Sequence, residues 1–264
     1  TYTVGVVYQP EFLPNFSISV DYFNIKVTGA VSTPTSGDVI SACFTGLSAS
    51  SASNPACTGI RRNPLTGGLD GDTATTFGLP FPSSNLGRIT TDGVDVAIRY
   101  KRDLGFADLN WSFDGTWNHS NKFQATPTGL NRECIGFYSP NCNIQPEYVF
   151  NQRTSLTFDD SITVSLLWRY LSGSEQEPDD ILNGNGPVVL DFGKIPDEHY
   201  FDLSGRFEIT DNATLTLTVM NLLNNKPHVV GADVGTTSFN SGNIYPSSYD
   251  PLGRRFAAAV KFKF

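Results

Sequence analysis

Few residues in this chain could do chemistry, and they are scattered. The three histidines, His119, His199 and His228, each fall near the end of an alternating segment. Gathered at one end of a sheet they could form a metal or ligand patch, since neutral imidazole is a common ligand. Unconnected surface histidines are the simpler reading. Residues 172–198 hold Glu175, Glu177, Asp179, Asp180, Asp191, Asp197 and Glu198. Such a loop could bind a divalent cation through oxygen ligands, but a solvated acidic loop has the same composition. Asp70-Gly71-Asp72 is too short for a calcium loop. There is no Gly-x-Ser-x-Gly elbow and no His-Glu-x-x-His pair. The chain therefore does not read as an enzyme, and no catalytic residue, metal site or cofactor is assigned. The ligand-binding residues are not readable.

The cysteines say more. Cys43 and Cys57, and Cys134 and Cys142, form two local pairs inside loops rich in Gly, Pro, Ser and Asn. Two loop-closing disulfides are expected, which places the chain in an oxidising compartment. Four free thiols are the alternative. Zinc is disfavoured, because neither pair has a two-residue spacing or a nearby histidine.

The elements that carry these residues are strands. Hydrophobic residues are 39% of the 264 and aromatics 12%, with 19 Phe and 10 Tyr. That balance suits sheets burying alternate residues. No stretch approaches the roughly 20 apolar residues of a membrane helix. The net charge of −8, with no basic stripe, argues against a nucleic-acid partner. Thr1-Tyr2-Thr3-Val4 already begins an alternating strand, so the chain reads as mature or truncated.

The last stretch shows the pattern best. Phe256, Ala258, Val260, Phe262 and Phe264 share one parity, and Arg255, Ala257, Ala259, Lys261 and Lys263 the other. This is one apolar and one wet face. A final aromatic on the apolar face suits a membrane-interface girdle. About nine such strands are expected, and no segment shows a helical period. Trp111, Trp117 and Trp168 fall on the apolar parity, where girdle packing is expected. Charges fall on the other: Asp21, Asp95, Arg99, Lys101, Asp114, Arg153, Arg169, Asp202, Arg206, Glu208, Arg255, Lys261 and Lys263, with Arg254 the exception. A soluble sandwich shows the same segregation with its apolar face turned inward.

Loop rhythm separates the two. Short turns near 10–15, 103–108, 159–161 and 211–212 alternate with long loops at about 32–88, 124–146, 172–198 and 229–248. An up-and-down membrane barrel has short periplasmic turns and long extracellular loops, whereas a sandwich has no reason to keep that alternation. The expected fold is all-β: an antiparallel, up-and-down transmembrane β-barrel. Its C-terminus would be periplasmic and its cysteine loops extracellular.

Three stretches resemble the TonB-dependent receptors of the Gram-negative outer membrane. Val219-Met220-Asn221-Leu222-Leu223-Asn224-Asn225-Lys226-Pro227 is similar to the family's Asn-Leu-Phe-Asp/Asn segment, with Leu223 in place of the usual aromatic. Tyr249 to Phe264, including Gly253-Arg254-Arg255, resembles the closing strand. Val20-Asp21-Tyr22-Phe23-Asn24-Ile25-Lys26 resembles a barrel strand before a disulfide-bearing outer loop. The signature residues are thus Asn221, Leu222, Gly253, Arg254 and Phe264. Such receptors have about 22 strands and a plug. Nine is an odd number, and bacterial single-chain barrels are even. Residues 1–264 would then be an incomplete C-terminal portion, about two-fifths of a barrel, with two unpaired edges. The resemblance implies TonB-energised uptake of a scarce nutrient, a ferric siderophore or other iron complex. An oligosaccharide or other organic nutrient, or a passive pore, is the alternative. Implied partners are outer-membrane lipid and lipopolysaccharide, the TonB complex, and the remainder of the receptor. Lumen-facing Asp21, Arg99, Asp114, Arg153, Arg169 and Arg206 could meet a plug, though cross-strand pairing is the simpler role.

Overall fold

The computed structural model describes residues 1–44, 47–72, 74–76, 78–127, 129–139, 142, 144–177, 193–230, 244–245 and 247–263. In chain order the strands are β1 (Tyr2–Tyr8), β2 (Phe16–Ser32), β3 (Ser84–Asp103), β4 (Asp108–Gln124), β5 (Arg132–Glu133), β6 (Phe137–Tyr138), β7 (Tyr148–Phe158), β8 (Ile162–Leu171), β9 (Ser174–Gln176), β10 (Lys194–Ile195), β11 (Glu198–Thr210), β12 (Ala213–Met220) and β13 (Arg255–Phe262). Nine of them pair in the order β1-β2-β3-β4-β7-β8-β11-β12-β13, with β5 on β4. Each neighbour along that path is antiparallel and next in the meander.

The short connections sit at one end of the sheet, here the turn end. Asp159 and Asp160 both have positive φ, 46° and 56°, and Ser161 N donates to Phe158 O at 3.1 Å. That is the primed turn whose twist matches a hairpin. The long excursions leave the opposite, loop end.

Two expectations need correction. The first excursion is not without helix: α1 (Ser36–Phe44) and α2 (Pro55–Thr58) lie in it, with a 3-10 turn at Ala49–Ser53. Thr35 and Asp38 cap α1 reciprocally, Asp38 N to Thr35 Oγ1 at 3.2 Å and Thr35 N to Asp38 Oδ2 at 2.9 Å, which satisfies end groups a helix cannot pair internally. The strands are also longer than the alternation suggests. β3 begins at Ser84 rather than Val94, and β4 runs on to Gln124. The added turns of strand carry charge on the apolar parity, so Arg254 is not the lone exception. Lys26, Arg88, Asp92 and Lys122 share the parity of Tyr22 and Val94 at the loop end, and Arg102 shares that of Tyr100 at the turn end.

Among the described residues no second layer packs against the sheet. Trp168 and Phe207 are only partly buried, and Phe262 is 61% exposed. The buried apolar cluster lies instead at the loop end and joins Tyr138, Ile144, Ile195, Val230, Tyr245 and Tyr249.

Candidate functional site

Register places one apolar face across all nine strands. Tyr8, Ile18, Ile98, Phe113 and Gln152 mark one row; Val6, Val20, Val96, Gly115, Phe150 and Tyr170 mark the next. Aromatic rings gather at both margins. At the loop end Tyr2 meets Tyr22 (6.1 Å), Trp117 stacks on Tyr148 (6.5 Å) and Tyr170 meets His199 (5.1 Å). At the turn end Phe16 meets Tyr100 (6.3 Å) and Phe106 meets Phe158 (6.5 Å). Tyr148 and Phe158 stand at opposite margins of β7. Ten residues span about 33 Å along a strand, or roughly 25 Å across a bilayer at a barrel's tilt. The valines and leucines between remain open, Val4 at 69% and Val260 at 57%.

The other face is polar and paired. Arg99 Nη2 lies 2.6 Å from Asp114 Oδ1, and Thr116 Oγ1 donates to Asp95 Oδ1 at 2.6 Å. Arg169 grips Asp202 with two bonds, 3.0 and 3.2 Å, and its guanidinium lies 5.1 Å from the Tyr200 ring centre. Arg206 pairs with Glu208. Arg153 has no ion-pair partner among the described residues. The exposed pairs, Arg99–Asp114 and Arg206–Glu208, add little stability. They keep a wet wall wet.

The loops do not hang free. Arg132 and Glu177 form a buried ion pair of 2.9 Å, and Ser139 Oγ donates to Glu177 Oε2 at 2.6 Å. Arg132 also donates to Thr35 Oγ1 at 3.2 Å, while Leu130 N donates to Asp38 Oδ1 at 2.9 Å. Strands β6, β9 and β10 form a small sheet between the second and third excursions. The fourth excursion adds Val230, Tyr245 and Tyr249 to the buried cluster. All four excursions therefore pack into one cap. Burial pushes the Tyr138 and Tyr245 hydroxyls up to about 12 and raises that of Tyr249 further. Disulfides Cys43–Cys57 and Cys134–Cys142 close loops within it.

Several of the residues considered for metal binding have other partners. His119 Nδ1 lies 3.0 Å from Asp92 Oδ2. His199 stacks on Trp168 and accepts from its indole N–H at 3.1 Å. Among the described residues no three His, Cys, Asp or Glu side chains gather as a metal site. Glu175 pairs with Lys194, Glu177 with Arg132, and Asp197 accepts from Gly173 N and Tyr170 OH. Asp72 caps its own turn through Ala74 N. Asp179, Asp180 and Asp191 lie outside the described residues, as does Phe264.

The other signature residues meet one another. Asn221 is fully buried with φ 51°. Its side chain donates to Asn225 O and accepts from Asn225 N, both at 2.9 Å. Its N–H donates to Asp202 Oδ1 at 2.7 Å, and Leu222 N donates to Phe201 O at 2.7 Å. Gly253 has φ 73°, and a Cβ there would lie 2.7 Å from Asn224 Oδ1. Arg254 N donates to that same oxygen at 3.0 Å. Arg255 grips Asp250, whose N–H donates to Tyr200 OH at 3.3 Å. A polar chain thus runs from β13 through β11 and β8 to the end of β12. Sequence reading missed Thr35, Asp38, Arg132, Ser139 and Asp250, and it quoted Asn224 only as part of the Asn221–Asn224 segment. Among the missed residues, Thr35-x-x-Asp38, a capping spacing, carried a local signal.

A family model described as TonB dependent receptor-like, beta-barrel matches residues 1–222. No curated protein matches the chain. Among solved structures, the chain is similar to the ferric enterobactin receptor PfeA of Pseudomonas aeruginosa, in a mutant form with enterobactin bound: 15% identity, 99% of this chain and 31% of that one, TM-score 0.62. It is also similar to the FrpB iron transporter of Neisseria meningitidis (14%, 99% and 30%, TM-score 0.57) and to the copper transporter OprC (14%, 99% and 30%, TM-score 0.51). The chain spans about 30% of the length of these receptors. It belongs to the TonB-dependent receptor family, within the β-barrel domain.

Proposed function

We propose that this chain forms barrel wall and outer loops of a transporter for TonB-energised uptake of a scarce nutrient, a ferric siderophore or other iron complex. The observation that carries the reading is the largely apolar face with an aromatic girdle at each margin, backed by a face of mostly paired charges. Lipid suits the first and a water-filled lumen the second. In this reading the loop end is extracellular, the turn end and β13 periplasmic. The cap is the surface that a nutrient meets first. β1 and β13 are edges whose free N–H and C=O groups require partner strands, supplied by the rest of the receptor. Iron is favoured because PfeA and FrpB are described as iron receptors. A copper cargo is the second reading, on the likeness to OprC. Uptake by a deletion strain given ferric siderophores, copper salts or oligosaccharides tests this. Loss of iron-chelate uptake alone is expected. Unchanged uptake of every nutrient overturns it, and ion conduction without energised transport indicates a passive pore.

A further inference from the structure

Glu198 opens β11 at the loop end and shares the parity of Tyr200 and Asp202, on the charged face. It is 7% exposed, and its carboxylate has no hydrogen-bond or ion-pair partner among the described residues. Burial raises its carboxyl above the ordinary range, and no neighbouring cation draws it back. Two hydroxyls at the same place are also unsatisfied. Ser174 Oγ, from β9, and Tyr249 Oη, from the fourth excursion, are buried and complete no hydrogen bond. The three lie together: the Tyr249 hydroxyl is raised first by burial and then by the Glu198 carboxylate, and lowered by the Ser174 hydroxyl beside it. Three separate elements thus bring one carboxylate and two hydroxyls to one buried point.

The cations of the surrounding elements are already engaged. Asp202 holds Arg169, Asp250 holds Arg255 and Glu175 holds Lys194. Residues 178–192 and 231–243 contain neither lysine nor arginine. A buried charge without a counter-charge is costly. Water would satisfy the hydroxyls and leave that charge uncompensated. A divalent cation asks for more oxygens and more carboxylates than this, and no metal-holding group of acidic, cysteine or histidine side chains occurs among the described residues. One carboxylate matches one positive charge. The field above it has the same sign. The four excursions, 33–83, 125–147, 172–197 and 221–254, hold thirteen carboxylates against six lysines or arginines, and so carry nearly all of the net charge of −8. A surface of one sign draws solutes of the other toward it.

We infer that the loop end captures a solute bearing a primary ammonium group, which seats on Glu198, Ser174 and Tyr249. An ammonium offers three donors in a tetrahedral spread, one for each oxygen; a guanidinium is planar and suits a single carboxylate gripped from one side. The inference rests on the uptake reading and gives the cargo a charge class. A ferric chelate with a pendant ammonium fits this site, and a polyanionic chelate does not.

Titration calorimetry of the full-length receptor in detergent tests this, with a trihydroxamate chelator bearing a terminal ammonium and with its N-acetyl form, each with and without ferric iron. The ammonium form should bind about 10- to 100-fold more tightly than the acetylated one, the worth of a charge-assisted bond to a buried carboxylate. E198Q should erase that preference, and S174A and Y249F should each reduce it. E175Q removes an exposed carboxylate of the same excursion, one paired with Lys194, and should keep it. Equal affinity for the two forms, binding of neither, or a preference that survives E198Q, S174A and Y249F overturns the site. Ferric-chelate uptake by the deletion strain keeps the two readings apart. Normal uptake beside an intact ammonium preference sinks the iron reading and leaves the site, whereas lost uptake with no ammonium preference sinks only the site.

Discussion

Arg132 and Glu177 stand 45 residues apart in sequence, yet their side chains meet at 2.9 Å with 2% and 1% exposure. Arg132 lies in the second excursion and Glu177 in the third. Thr35, from the first, accepts from the same guanidinium. One buried charge pair thus ties three loops that share no local sequence pattern. Glu177 also takes the Ser139 hydroxyl, and Ser139 Oγ accepts from Cys142 N at 3.0 Å. The Cys134–Cys142 disulfide is therefore built into the same knot.

Removing one partner leaves the other charge buried and unpaired, which costs about 3–5 kcal/mol. R132A and E177A should each open the cap, read as faster amide exchange at 130–139 and 172–177 with β7 and β8 protected. An R132M/E177L double variant should recover most of the protection, because apolar replacement of a buried pair is often neutral. Unchanged exchange in both single variants would show that the pair does not hold the cap.

The contrast between sheet and cap explains what the sequence disclosed. Strand alternation is local, so Val4 and Val6, or Leu215 and Leu217, declare their face without knowledge of a partner. The alternating loop lengths are equally visible. Asp38 to Leu130 and Arg132 to Thr35 are contacts across 92 and 97 residues, and nothing in the linear chain encodes them. The charged strand ends escape the alternation for a related reason. Lys26, Arg88 and Lys122 sit where the strand has left the apolar band, so hydrophobic periodicity fades before the hydrogen-bonded ladder does. Asn221 and Gly253 were visible only through family likeness; their meeting through Asn224 was not.

Leu217 and Thr218 are neighbours on opposite faces of β12, in register with Gly205 and Ser204. A lipid-facing arginine near the bilayer centre costs roughly 2–4 kcal/mol, whereas the lumen face carries such charges already. L217R should therefore lower the melting point of the folded, heat-modifiable form, and T218R should leave it nearly unchanged. The reverse order would mean that lipid lies on the other side of the sheet.

Asn221 holds a left-handed conformation and satisfies both backbone groups of Asn225. N221A loses those bonds, at about 1–3 kcal/mol, and keeps a Cβ in the left-handed region without the amide that compensates for it, which costs alanine roughly 1–2 kcal/mol. N221G loses only the bonds. Folded-band stability should fall in the order wild type, Gly, Ala. Equal loss in both variants would remove backbone conformation from the account.

The cap should also fail before the barrel as pH rises. Burial holds the hydroxyls of Tyr138 and Tyr245 at about 12, against an ordinary value of 10.0. Below 10 both states are neutral and the full stability is present. Between 10 and 12 the unfolded cap releases protons that the folded cap retains, so stability falls by about 1.4 kcal/mol per tyrosine per pH unit. Above 12 both states are ionised and that contribution is gone. The ultraviolet tyrosinate band should rise first from exposed tyrosines. A late step should then coincide with faster exchange in the cap, while the nine-strand sheet keeps its circular dichroism. Y138F/Y245F removes the ionisable groups and should shift cap opening to higher pH. If the late step persists in that variant, the titrating groups are other tyrosines.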